Sequence, residues 1–234
     1  MSRFGLHSAR AALVSSVVML AACSKPAPQK TAAVDVYTDL VCPGCFIGME
    51  RLDQAVAQSR VKVEIRHHAF LLNPDVPPEG IDVAQHLREL GRDPSQAFAQ
   101  VEAFARSSGI ALDLSKQPRM HSTVFGHALL AAAATKGTQR ALERDLFRAH
   151  FLESKNIADA RVLTELAQRH GFTADEVEAL LQDTNTQANV RREAQAASSQ
   201  GVRGVPFFIF GDGERFSGAQ SVEKLRSALE ASAR

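Results

Sequence analysis

Two cysteines placed one helical turn apart, in the stretch Cys42-Pro43-Gly44-Cys45, constrain this chain more than any other feature. The alternating apolar run from Val34 to Tyr37 precedes the pair and predicts a strand, and the residues that follow as far as Gln58 have a helical pattern. Because Pro43 has no amide hydrogen, it suits the first turn of a helix, and Cys42 is predicted at or near the N-cap. Such a pair of thiols can close into a disulfide and reopen.

The same C-x-x-C spacing supplies half of many zinc sites, so a metal centre is the alternative interpretation. Only three cysteines occur in the chain, and the third, Cys23, lies in an N-terminal stretch that we do not expect to belong to the fold. A closed tetrahedral site would therefore have to recruit two histidines. The histidines available for this are His67, His68, His121 and His127. We predict no metal site, and no cofactor other than the redox-active pair Cys42 and Cys45.

Residues 1–22 are predicted to be an export signal. Arg3 and Arg10 form a basic start, and the apolar core that ends at Ala22 is shorter than the roughly 20 residues that span a bilayer. Leu20-Ala21-Ala22-Cys23 resembles the lipobox of bacterial lipoproteins, which implies cleavage before Cys23 and acylation of its sulfur. An ordinary secretory signal is the alternative.

Residues 23–33 are predicted to be a lipidated tether, because they include two prolines and no large apolar side chain. Ser24 resembles the residue that follows the acylated cysteine in outer-membrane lipoproteins of Gram-negative bacteria. We therefore expect a protein of the cell envelope or periplasm that a lipid anchor attaches to a membrane, the outer one if the cell is Gram-negative.

Charge excludes one large class of function. The whole chain has a formal charge of +1, and loss of Arg3 and Arg10 with the leader would leave it close to neutral. Because no basic stripe or cationic groove with aromatic residues is evident, we expect no nucleic-acid partner. An exported chain works where disulfides persist, so the thiol pair is interpreted as a redox couple.

The rest of the chain reads as an α/β unit divided by helices. Val61, Val63 and Ile65 alternate with polar residues and predict a second strand. From about residue 81 to 197 the apolar residues recur at helical spacing, and strand character returns at Phe207-Phe208-Ile209-Phe210. A turn, a short strand and a closing helix follow.

This arrangement resembles the DsbA family of thioredoxin-fold proteins, and more narrowly its FrnE branch, which includes the 2-hydroxychromene-2-carboxylate isomerases. The segments that carry the resemblance are residues 39–48, Leu72-Asn73-Pro74-Asp75, Ser122-Thr123 with His127, residues 146–151, residues 201–207 and Ser217-Gly218-Ala219-Gln220. It implies a thioredoxin fold interrupted by a large all-helical insertion. The expected boundaries are 34–78 for the first half of the fold, 79–197 for the insertion and 198–234 for the second half.

Two positions depart from the pattern of that branch. Gly44 stands where an aromatic residue is common, and Ser122 stands where an asparagine is common. The isomerases carry serine at the position of Cys42 and use glutathione, whereas both thiols are present here. This favours dithiol chemistry.

The nucleophile of disulfide exchange is a thiolate, and the unpaired N–H groups at a helix N-terminus favour an anion. We therefore predict that Cys42 is the exposed, reactive thiol and that Cys45, one turn deeper, is the shielded resolving thiol. Val205-Pro206 resembles the cis-proline loop that faces the dithiol in this fold. Val205 is expected to offer its backbone groups to an extended substrate segment, while Pro206 has no N–H to compete.

Several other residues have two interpretations. Pro43, Gly44 and Asp39 could tune the thiols, and Asp39 could also assist proton transfer or serve as a cap or turn residue. His127 could line the cleft or be a hydrogen-bonded structural residue, and His67 and His68 are expected to be structural. A set of three apolar residues on one helical face is predicted to belong to the core: Phe98, Val101 and Phe104.

The sequence thus predicts an enzyme of the DsbA family, a protein thiol:disulfide oxidoreductase acting as oxidase or isomerase. It would exchange a Cys42–Cys45 disulfide with cysteine-containing envelope proteins, through a mixed disulfide at Cys42, and would depend on a redox partner. The alternatives are a glutathione-dependent isomerase or transferase of the 2-hydroxychromene-2-carboxylate isomerase type, and a non-catalytic peptide-binding lipoprotein.

Overall fold

A computed structural model describes residues 30–77 and 79–234 of the chain. The predicted signal, Cys23 and most of the predicted tether lie outside these residues. The strands are β1 (Thr31–Thr38), β2 (Lys62–Ala69), β3 (Ile81–Asp82), β4 (Arg119–Met120), β5 (Phe207–Phe210) and β6 (Arg215–Ser217). The helices are α1 (Pro43–Gln58), α2 (Val83–Glu89), α3 (Pro94–Arg106), α4 (Val124–Lys136), α5 (Gln139–Phe151), α6 (Ala160–Gln168), α7 (Ala174–Gln182), α8 (Thr184–Ala196) and α9 (Val222–Ser232). Two 3₁₀ turns, at Leu114–Lys116 and Ala197–Gln200, complete the order.

The main sheet has the strand order β2-β1-β5-β6. β1 and β2 are parallel and are joined through α1, whereas β5 is antiparallel to both β1 and β6. α1 and α9 share one core with the buried face of β1, which includes Val34 and Val36. The segment from β3 to α8 separates the two halves of this unit. The predicted thioredoxin fold with a large helical insertion is confirmed.

The structure differs from the predicted organisation at two places. β1 begins at Thr31, so residues 31–33 belong to the fold and not to a tether. Ala32 is fully buried, and the backbone of Thr31 pairs with that of Arg234 in both directions. The insertion also contains a short antiparallel pair, β3 with β4, which periodicity does not reveal in strands of two residues.

Within the described residues, no helix combines the length and the hydrophobicity that a bilayer crossing requires.

Candidate active site

The two thiols lie at the junction between β1 and α1. β1 ends at Thr38, the backbone N–H of Cys42 donates to the carbonyl of Asp39 at 3.0 Å, and α1 begins at Pro43. Cys42 is the N-cap, and its Sγ accepts a hydrogen bond from the backbone N–H of Cys45 at 3.2 Å. A sulfur in this position lies where the N–H groups of the first turn favour negative charge.

The two cysteines differ slightly in their access to solvent. Both cysteines are free thiols in this structure, Cys42 is 8% exposed and Cys45 is fully buried. Cys42 is the more accessible of the two, as predicted, but the prediction that it is exposed was wrong, because it is buried in this structure. A reacting group therefore has to reach the Cys42 sulfur through a small opening.

The environment of Cys45 opposes its ionisation. Burial raises the pKa of the Cys45 thiol well above its ordinary value, and the hydrogen bond and charge of Cys42 and the charge of Asp39 raise it further. A backbone hydrogen bond with Asp39 acts in the opposite direction. Cys45 is therefore protonated at neutral pH, and it needs a base before it can attack a disulfide.

A loop from the second half of the fold faces the thiols. The peptide bond between Val205 and Pro206 is cis, as the resemblance implied. The Cys42 Sγ lies 3.8 Å from the carbonyl oxygen of Val205. α1 approaches the loop closely at Gly48, where an added Cβ would lie 2.8 Å from Cγ of Pro206. By contrast, an added Cβ at Gly44 would lie 3.7 Å from the Cys42 Sγ and 3.8 Å from Cδ of Pro206.

Asp39 is a buried carboxylate beneath the thiol pair, and it does not cap α1. Its Oδ2 accepts the backbone N–H of Leu72 at 2.7 Å, and its Oδ1 accepts the hydroxyl of Thr123 at 2.8 Å. The predicted capping role belongs to Cys42, whereas the predicted turn is present, because the backbone carbonyl of Asp39 accepts the N–H of Cys42. The Asp39 side chain instead connects the end of β1 to the start of α4.

His127 lies below the site and does not line its opening. It is buried, with its Nδ1 3.1 Å from Nε2 of His67 and its Nε2 3.8 Å from Oδ1 of Asp39. Burial lowers the pKa of His127, and hydrogen bonding with Asp39 acts in the opposite direction. His68 points to the other side of β2, where it bonds to Asp35 and Glu193.

Behind His67 lies an enclosed ion pair that sequence reasoning missed. The Glu143 Oε1 lies 3.1 Å from Nδ1 of His67 and accepts the Thr38 hydroxyl at 3.0 Å, while its Oε2 accepts from Arg140 at 2.8 Å. Burial alone would raise the pKa of Glu143, but the charges of His67 and Arg140 and the hydrogen bonds lower it to about 2. His67 and Thr38 lie 76 and 105 residues from Glu143 in the chain, so no local pattern could have indicated these two contacts, whereas Arg140 is on the same helix, at i,i+3.

An apolar groove of about 350 Å³ adjoins the thiols on the side of the insertion. Its walls include Val41, Pro43, Leu87, Leu90, Phe98 and Val101. The prediction that Phe98, Val101 and Phe104 belong to the core was wrong in part. Phe98 and Val101 are only partly buried and line the groove, and Phe104 is 40% exposed, with the Arg51 guanidinium 4.1 Å above its ring.

The histidines do not gather around the cysteines as metal ligands. Within residues 30–77 and 79–234, no group of three or more His, Cys, Asp or Glu residues has a geometry that could hold a metal ion.

A thiol at a helix N-cap, a second thiol buried one turn deeper, a facing cis-proline and the sheet order β2-β1-β5-β6 define a thioredoxin fold with a dithiol site. Two thiols in this arrangement are suited to thiol–disulfide exchange. The sequence profile of the DSBA-like thioredoxin domain matches residues 33–230. The chain belongs to this family.

Three proteins illustrate the range of the similarity. A probable DsbA oxidoreductase from Streptomyces coelicolor is 31% identical, with a TM-score of 0.77 over 86% of this chain and 89% of that one. The uncharacterized protein YwbO from Bacillus subtilis is 29% identical over 78% of this chain and 88% of its own length. A 2-hydroxychromene-2-carboxylate isomerase shares the fold, at 19% identity and a TM-score of 0.68 over 85% of this chain and 95% of that one. Family and fold together support a function of the thiol–disulfide oxidoreductase type.

Proposed function

We propose that this protein is a protein thiol:disulfide oxidoreductase that exchanges a Cys42–Cys45 disulfide with cysteines of substrate proteins. The observation that carries the proposal is the position of the Cys42 sulfur. It accepts the N–H of Cys45 at the start of α1, has the larger access to solvent and faces the carbonyl of Val205. A mixed disulfide at Cys42 would place the substrate chain beside Val205 and Pro206, where it could bond to the backbone as an added strand does.

The exchange proceeds in two balanced steps. A substrate thiolate attacks the Cys42 sulfur of the disulfide, a new bond to substrate forms, and Cys45 leaves with the electron pair and takes up a proton. A second substrate thiolate then attacks the first substrate sulfur, and Cys42 leaves as a thiolate. The substrate is oxidised by two electrons and the protein is reduced to its dithiol. The reverse sequence reduces or isomerises substrates.

Asp39 is the proposed proton acceptor and donor for Cys45. Its carboxylate is buried beneath the pair, and its charge is one of the causes of the raised Cys45 pKa. A carboxylate that takes the thiol proton as Cys45 attacks would remove the barrier that burial sets against the thiolate.

Single-cysteine variants test the function. Insulin reduction and oxidation of a reduced, unfolded substrate should both be lost in Cys42→Ser. In Cys45→Ser, a covalent adduct with substrate should accumulate at Cys42, because the resolving thiol is absent. Activity that survives Cys45→Ser and requires glutathione would favour the isomerase or transferase alternative. Full function in Cys42→Ser would favour a non-catalytic peptide-binding protein.

The direction of exchange is set by the redox potential of the pair. Equilibration with glutathione buffers, followed by alkylation and mass measurement, would give it. Alkylation is the suitable method because the chain has no tryptophan to report the change by indole fluorescence. A potential near about −120 mV would fit an oxidant, and one near about −270 mV a reductant.

The cellular setting is part of the proposal. Residues 1–22 are proposed as the signal and Cys23 as the lipidated residue, which would hold the protein at a membrane of the bacterial envelope, among substrates with cysteines and a redox partner. The motifs quoted above support membership of the FrnE branch. Labelling of cells with a fatty acid should mark the protein, and the Cys23→Ser variant should remain unmarked.

A further inference from the structure

A line of buried polar side chains leads away from the thiols. It starts at Asp39, continues through His127 and His67, and reaches Glu143. These side chains come from the end of β1, from α4, from β2 and from α5. The exchange mechanism above uses only the first of them.

Hydrogen-bond directions along this line follow from the acceptor at its far end. Glu143 is ionised beside Arg140 and can only accept, so the Nδ1 of His67 must carry a hydrogen. A neutral His67 then presents a lone pair at Nε2, and the Nδ1 of His127, 3.1 Å away, must carry the hydrogen between them. The Nε2 of a neutral His127 is consequently a bare acceptor.

That bare acceptor faces another acceptor. The Nε2 of His127 is fully enclosed and has no hydrogen-bond partner, and the Oδ1 of Asp39 lies 3.8 Å from it. One additional proton resolves the mismatch. It can reside on Asp39 or on the Nε2 of His127, and a shift of the shared hydrogen along the 3.1 Å contact moves the positive charge to His67.

The His67 end of the line is almost enclosed. The His67 side chain is 5% exposed, its Nδ1 faces Glu143 and Thr38, and its Nε2 faces His127. The line can therefore hold a proton inside the fold, beside the carboxylate of Glu143.

We propose that His127 and His67 are positioning residues that hold, together with Asp39, the proton that Cys45 gives up during exchange. The proposal rests on the function proposed above. When Cys45 resolves a mixed disulfide, its proton passes to Asp39, its sulfur bonds to that of Cys42, and the substrate leaves as a thiolate with the electron pair. The proton is then shared between Asp39 and His127, and a shift of the hydrogen between His127 and His67 brings the positive charge to His67, beside the ionised Glu143. When Cys45 is the leaving group, the proton moves in reverse.

The charged and titratable groups that act on His127 are Asp39, His67 and Glu143. The charge of Asp39 also acts on Cys45 and His150, and that of His67 acts on Glu193. Any pH dependence of the line belongs to this wider set and to Arg140, which pairs with Glu143. His68 is a matched control, because it lies next to His67 on β2 but bonds to Asp35 and Glu193 on the other side of the strand.

The test separates attack from resolution in one turnover. The reduced full chain carrying Cys23→Ser is mixed with a small aromatic disulfide that releases a coloured thiolate, once on attack by Cys42 and once on resolution by Cys45. The variants are His127→Gln, His67→Gln and the control His68→Gln. We expect the rate of the first phase to stay within about twofold of the wild-type rate in all three variants. The rate of the second phase should fall at least about tenfold in His127→Gln and His67→Gln only.

The pH profile supplies a readout that a structural role would not move. When His127 or His67 is replaced, the rate of the second phase should rise about tenfold for each unit of pH, because hydroxide must then remove the Cys45 proton. The wild-type second phase should rise less steeply. An unchanged second phase, or equal slowing of both phases, in His67→Gln would overturn the proposal, even if His127→Gln failed to fold. Absence of a second phase in the wild type would instead overturn the dithiol function itself.

Discussion

Glu143 shows at the scale of one residue how a buried charge is kept. Its carboxylate is almost fully enclosed, yet Arg140, Thr38 and His67 donate to its two oxygens, so the ionised form has partners on every side. Such a group stabilises a fold only while it stays ionised, because the protonated form loses the ion pair.

The pH dependence of stability follows from this residue. The pKa of Glu143 falls from 4.5 to about 2 in the folded protein. Because the folded-state pKa is depressed, its contribution is complete above about pH 4.5 and is lost as the pH falls toward 2. Chemical denaturation should show that Glu143→Gln is less stable than the wild type at pH 7 by about 3 kcal/mol. This difference in the free energy of unfolding should shrink as the pH falls from about 4.5 toward 2. Glu178→Gln, at an exposed position of α7, should unfold with the same free energy as the wild type at both ends of this pH range.

Asp39 should influence the titration of Cys45. Its charge is one cause of the raised Cys45 pKa, after burial and the interactions with Cys42. Asp39→Asn, in a chain carrying Cys23→Ser and Cys42→Ser, should therefore lower the pKa of the remaining thiol. Thiolate absorbance as a function of pH would measure it. An unchanged or higher value would show that the carboxylate does not act on Cys45.

At the scale of elements, the contact between α1 and the loop at Pro206 sets the geometry of the site. Gly48 allows the approach, because an added Cβ would lie 2.8 Å from the proline ring. The ring belongs to the loop that holds the Val205 carbonyl against the Cys42 sulfur. Anything that forces the loop away from α1 also changes the surface that receives the substrate.

Gly48→Ala should therefore destabilise the protein by about 1 to 3 kcal/mol, through overpacking, and slow the exchange of a protein substrate. Gly44→Ala in the same helix meets only ordinary contacts and should leave the melting temperature equal or higher, since alanine favours a helix. Thermal unfolding of the two variants would compare them. Equal melting temperatures of the two variants would show that the loop at Pro206 moves away from α1 without loss of stability.

Sequence patterns located most elements but not their surroundings. The thiol motif and the strand alternation predicted β1 and α1, and the four residues of β5 stand out as an apolar run. In α3 the apolar face was visible, but periodicity does not say whether a face meets a core or a groove. Phe98 and Phe104 thus share a predicted face but differ in their environment.

At the scale of the whole molecule, polar contacts join the insertion to the thioredoxin unit. Arg51 of α1 donates to Ser107 and Ser108 after α3, and Arg140 of α5 donates to Asp53 of α1. These pairs lie 56, 57 and 87 residues apart along the chain. A single sequence holds no local signal for them, which is why the fold was predictable and the buried polar line was not.

The N-terminal limit of the fold can be tested by truncation. Removal of residues 1–29 should preserve the melting temperature and the exchange activity of the purified protein, because β1 and its pairing remain. Removal of residues 1–33 deletes the buried Ala32, its pairing with β2 and the contact between Thr31 and Arg234. The melting temperature should then fall by at least about 5 °C. Equal melting temperatures would show that the start of β1 adds nothing.

The direction of β1 has a geometric consequence. The strand enters the sheet beside the last residue of the chain and ends close to the cysteines, and its eight residues span about 26 Å. Whatever is attached ahead of Thr31, an acyl chain or a fused partner, would be held at the pole remote from the reactive sulfur. A molecule tethered in this way would turn its chemistry outward, toward passing clients.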